Sequence, residues 1–117
     1  MKDERVYLAH ILECIGRVQA YTKDGRDDFF SSTVKQDAVV RNLQTLAESA
    51  SRISEALKAA HPEVDWRGMR GFRNVVVHDY LNVDYDLVWR MVARSLPPLK
   101  EGIARMLDEL GGPPEEG

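Results

Sequence analysis

The 117-residue chain has one cysteine, Cys14, so no internal disulfide can close. A reducing, cytoplasmic setting is the expectation that follows. Its three histidines, His10, His61 and His78, stand far apart, and with a single cysteine they offer no zinc-binding spacing. No apolar run approaches the roughly 18 residues of a membrane span. The opening stretch "MKDERVYLAHILEC" places charges where a secretion signal needs its apolar segment. No alternation of apolar and polar residues marks a strand. Internal repeats are absent, and only the tail "GGPPEEG" is compositionally biased. The net charge of −3 argues against non-specific nucleic-acid binding by the whole surface, though a local basic patch stays open.

What is present is globular. The apolar share of 44% and charged share of 30% separate the chain from disordered sequences. Its length fits one domain with a modest core, which burial in an oligomer would help.

Periodicity predicts four helical segments. Leu8, Ile11, Leu12, Ile15 and Val18 form an amphipathic stripe, with Cys14 beside it as a small core residue. "YTKDGRDDFFSS" breaks the pattern and reads as a loop. Ser31 or Ser32 caps a long second helix, whose apolar residues Val39, Leu43, Leu46, Ala50, Ile53 and Leu57 recur every three or four positions. "HPEVD" ends it, because proline disfavours helix in the residue before it. Asp65 then caps a third helix over residues 66–78. Gly68 and Gly71 each cost that helix about 1 kcal/mol relative to alanine, which predicts close packing against another backbone. Asp84 or Asn82 caps the last helix, with Leu87, Val88, Met91, Val92 and Leu96 on its apolar face. "LPPL" predicts a kink or restart before Ile103, Met106, Leu107 and Leu110. The expected fold is all-α, an antiparallel bundle of four to five helices over residues 1–110, followed by a disordered tail at 111–117.

The chemistry gathers at "GFRNVVVHDY", residues 71–80. Arg67, Arg70 and Arg73 form a row at intervals of three, and residues 66–78 contain no acid. Arginine offers planar, bidentate donors to phosphate, and histidine is the side chain whose proton is exchanged nearest neutrality. Together they suit general acid–base cleavage of a phosphodiester without a metal. Asn74 and His78 share a helix face, but Arg73 lies roughly 140° from His78 around the axis. An unwinding at His78, or a second copy of the motif from a partner chain, would bring the two together. The plainer alternative is a helix end whose histidine meets the dipole and whose arginines are a solvated face. His10 and His61 read as surface or cap residues, and Trp66 and Trp89 as core or interface anchors rather than base-stacking platforms. Phe29 and Phe30 are left open. Glu48 is either exposed or paired with an arginine of the third helix.

"RNVVVHDY" matches the R-x4-H-x-Y signature of HepT-like proteins, a branch of the HEPN superfamily. "VVRNLQTLAESASRIS" resembles that family's long central helix, and "WRGMRGFRNVVVHDYLNVDYDLVW" followed by "LPPLK" resembles its third and fourth helices. The resemblance implies a helical bundle that homodimerises, with two motif helices meeting at a shared cleft. It implies a metal-independent ribonuclease toxin of a prokaryotic toxin–antitoxin pair, acting on RNA such as tRNA or mRNA, with no cofactor and no membrane association. The implied partner is a minimal nucleotidyltransferase of the MntA type, which silences the toxin by transferring AMP to the signature tyrosine. Carried over by position, Arg73 and His78 are the catalytic pair, Asn74 and Asp79 orient substrate or imidazole, and Tyr80 is the AMP acceptor. Asp79 could equally cap the helix. Arg67 and Arg70 are candidate phosphate-binding residues. The competing reading is a non-catalytic helical dimer that binds a nucleotidyltransferase, and a nucleotide, through the arginine row.

Overall fold

Where apolar side chains recur on one stripe, the chain folds so as to bury that stripe. The first such segment is α1 (Arg5–Tyr21), and its Leu8, Ile11, Cys14, Ile15 and Val18 are all 0% exposed. The structure, a computed structural model, describes residues 3–78 and 83–114, and of residues 75–78 it describes the backbone alone. Among the described residues there are helices and no strand: α2 (Arg26–Phe30), α3 (Thr33–Ser51), α4 (Glu55–Ala60), α5 (Trp66–His78), α6 (Tyr85–Arg90) and α7 (Leu96–Glu109) follow α1. The fold is the expected all-α bundle. Helix α3 packs chiefly on α1 and α5, and α7 returns along α1. The core joins Val39, Leu43 and Leu46 of α3 to Met69 and Phe72 of α5 and to Leu96, Ile103 and Met106 of the last helix.

Two expectations about boundaries are corrected. The segment read as a loop holds the short helix α2, entered through Gly25 at φ 96°, a conformation L side chains rarely adopt. Its reason for folding is tertiary, because Phe29 is fully buried against Phe30, Tyr85 and Trp89. The long second helix is broken in two. Ser32 caps α3 by accepting from Lys35 N–H, and Ser54 caps α4 by accepting from Leu57 N–H, with the chain turning at residues 52–54. Ser54 also donates its hydroxyl to Glu4. The apolar rhythm runs on across the break because Ile53 (2% exposed) still reaches the core from the turn.

The last segment restarts at "LPPL" as expected, by a particular device. Asp84 caps α6 through Leu87 N–H, and residues Met91–Ser95 widen into a π-helical turn in which Leu96 N–H reaches back to Met91 O. Pro97 and Pro98 then stand in the first turn of α7, where their missing N–H groups cost nothing. Gly111, at φ 98°, and Gly112 close α7, Gly112 N–H donating to Leu107 O at 2.8 Å. Among the described residues no helix is long and apolar enough to cross a membrane.

Candidate functional site

Helix α5 is aimed by its two ends and by its core face. At the start, Asp65 Oδ1 accepts from Gly68 N–H at 2.8 Å. The Trp66 indole donates to His61 O at 3.0 Å, which fixes the ring. Met69 (0% exposed) and Phe72 (2%) are driven into the bundle. Arg67, Arg70, Arg73 and Asn74 fall between and beyond these anchors and are exposed. The arginine row is therefore a consequence of where the two core residues sit.

The glycine expectation is corrected. A Cβ on Gly68 would run into the Asp65 carboxylate, so this glycine makes room for its own helix cap rather than for a neighbouring backbone. Among the described residues, no atom outside the helix of Gly71 lies within 4 Å of where a Cβ would stand there. The helical backbone continues to His78. The surroundings of the His78 side chain, and Asp79, Tyr80 and Asn82 altogether, lie outside the described residues.

Arg70 and Arg73, but not Arg67 or Asn74, line a groove of about 200 Å³ between α5, the C-terminal half of α3 and α4. Its floor carries Ala47 and Ala50, its rim Ser51 and Glu55, and Trp66 and Lys58 stand at its side. The Lys58 side chain is only 14% exposed, with its ammonium 3.6 Å from Glu55. Some arginines elsewhere are paired, Arg17 with Glu13, Arg26 with Asp86 and Arg105 with Glu101. Among the described residues Arg67, Arg70 and Arg73 have no acid partner. Three guanidinium groups so held, two of them in one groove, make a local anion-binding face on a chain of negative net charge.

Glu48 is exposed, and among the described residues its carboxylate pairs with no arginine of α5. His10 is not a surface residue: its Nδ1 lies 2.6 Å from Ser49 Oγ and its Nε2 3.7 Å from Cys14 Sγ, joining α1 to α3. Cys14 is core as expected, and desolvation pushes its thiol up from the ordinary value. His61 closes α4 and has acid neighbours that its spacing did not foretell, Glu63 at 3.1 Å and Glu109 at 3.7 Å. The Glu63 carboxyl is held below its ordinary value by its own backbone N–H and then by the His61 ring. Among the described residues no three histidine, cysteine, aspartate or glutamate side chains gather as a metal site. Trp89 packs against Phe29 in the core.

Reasoning from sequence found the arginines and missed Lys58, Ser51 and the groove itself. Nothing in the spacing could have found them, since the break between α3 and α4 sets that wall.

Residues 11–106 match the family described as "Ribonuclease HepT-like". The chain is 36% identical over 110 residues to a protein of Methanocaldococcus jannaschii named as a gamma-glutamylcyclotransferase and candidate RNase, covering 93% of this chain but 50% of that one. A second M. jannaschii protein, named as a candidate RNase, is 31% identical over 87% of this chain and 94% of its own length. A probable ribonuclease HepT of Thermococcus cleftensis is 32% identical over 85% of this chain and 91% of its own. No solved structure gives a significant match.

Proposed function

The chain belongs to the HepT-like ribonuclease family, and from that premise we propose that it is a metal-independent endoribonuclease toxin of a two-gene module. The observation that carries this reading is the groove in which Arg70 and Arg73 stand without acid partners among the described residues, eight and five positions ahead of His78 on the same helix. Phosphodiester cleavage needs a guanidinium and an imidazole at one phosphate. His78 takes the proton from a ribose 2′-hydroxyl, whose oxygen attacks the adjacent phosphorus, or hands a proton to the 5′-oxygen as it leaves. Arg73 stabilises the charge that builds on the phosphate, Asn74 and Asp79 orient substrate or imidazole, and Arg67 and Arg70 bind RNA phosphate.

Arg73 and His78 stand five positions apart on one helical backbone, so a complete site draws on two copies of α5 in a homodimer. The open space at Gly71 supports that arrangement. Silencing by AMP transfer to Tyr80, from a nucleotidyltransferase partner of the MntA type, completes the proposal.

The test is cleavage of total RNA and purified tRNA in the presence of EDTA, by the parent protein and by His78→Ala, each prepared without the partner and checked by intact mass for AMP. Cleavage by the parent that is lost in the variant is the expected result. Equal cleavage by both sinks the assignment of His78, and no cleavage by the unmodified parent leaves the non-catalytic binding module as the reading.

A further inference from the structure

We infer that the groove between α3, α4 and α5 is a nucleotide subsite, holding one unpaired RNA base against Trp66 while Arg70 and Arg73 bind the phosphate beside it. The substrate class rests on the ribonuclease reading; the subsite rests on the groove. Single-stranded nucleic acid is gripped by aromatic faces for bases and by cations for phosphates, set side by side. The groove of about 200 Å³ offers both within one concavity.

The indole is held in place before any ligand arrives, because its N–H is committed to His61 O. Ala47 and Ala50 in the same lining are small, which leaves room for a flat ring. Arg70 and Arg73 are three positions apart, a rise of about 4.5 Å along the helix, so both guanidinium forks can reach one phosphate. Lys58, ion-paired with Glu55, adds a third cation at the side, and Ser51, whose hydroxyl donates to Glu48 O, keeps its oxygen as an acceptor for the sugar. An acidic peptide would use the cations and leave the aromatic wall idle, so the combination selects a nucleotide. The residues that sequence reasoning passed over thereby acquire a role, that of fixing which nucleotide sits next to the bond cut.

The chain has two tryptophans, so Trp89→Phe leaves Trp66 as the only indole reporter. The probe is a short 2′-O-methyl oligoadenylate, which lacks the 2′-hydroxyl nucleophile and cannot be cut. Titration should quench Trp66 emission. Ser51→Phe, at an exposed rim position, should fill the groove and weaken binding about 5- to 150-fold, the worth of one lost base stack. Arg70→Ala should weaken binding while keeping a residual quench. With cleavable RNA, Ser51→Phe should raise KM more than it lowers kcat.

Cleaving protein with no quench, and a Ser51→Phe variant that binds and cleaves like the parent, overturns the subsite and leaves the ribonuclease reading standing. Quench abolished by Ser51→Phe in a protein that cleaves nothing upholds the subsite and removes the enzyme. Equal quench by polyglutamate overturns base recognition. Circular dichroism of each variant separates lost binding from lost fold.

Discussion

Met69 and Arg70 are neighbours in sequence with opposite surroundings. Met69 is fully buried and Arg70 exposed. Truncating a buried methionine removes its transfer free energy and leaves a cavity, so Met69→Ala should cost about 2–5 kcal/mol in urea unfolding. Arg70→Ala leaves no orphaned acid among the described residues and should change stability by no more than about 0.5 kcal/mol. A large loss at Arg70 would mean that its side chain holds the fold rather than the groove. At this scale the sequence was readable for types and faces. The row of arginines followed from intervals of three, and the burial of Cys14 from its place beside a stripe. His10 was not readable, because its partner Ser49 lies 39 positions away on another helix.

Elements were legible where their signals are local. Asp65, Ser32 and Asp84 all cap helices as the sequence suggested, since a cap needs only a short polar side chain and an N–H three residues on. The break at residues 52–54 went unread because Arg52 and Ile53, with Ala56 and Leu57 beyond them, suit a continuous helix equally well. Ser54 decides it, by capping α4 while its hydroxyl meets Glu4 of the chain's opposite end. Ser54→Ala should cost about 1 kcal/mol and loosen the wall that carries Lys58. Hydrogen exchange of α4 amides would report it: faster exchange confined to residues 55–60 is expected, and unchanged exchange would place the break elsewhere than in the cap. The prolines behaved as their chemistry requires. A ring without an N–H fits a helix start, and the five-residue π turn ahead of it absorbs the mismatch.

For the whole molecule, the proposed binding of RNA has to be reconciled with a net charge of −3. Its acids lie off α5, whose residues 66–78 contain none, and some are paired elsewhere, Asp28 with Lys35, Asp86 with Arg26 and Glu13 with Arg17, which leaves the α5 face positive. Binding of the uncut oligonucleotide should therefore fall steeply with salt. Replacing Arg67, Arg70 or Arg73 singly with alanine should each lower the slope of log affinity against log salt by about 0.7, as for one phosphate contact on a single strand. A slope unmoved by all three substitutions would take RNA off this face.

The sequence alone determined the class of the fold, the face each long helix buries, the caps and the arginine row, because all of these depend on residues within a few positions of one another. It also carried the stretch "RNVVVHDY", on which the resemblance to HepT-like proteins rests. Only the tertiary structure decided that α3 and α4 are separate, that Phe29 brings a helix into an apparent loop, and that Lys58 and Ser51 face Arg70, Arg73 and Trp66 across one groove. The physical reason is range: helix propensity and capping act over three or four residues, whereas a groove is the space left between surfaces that meet only once the core has closed.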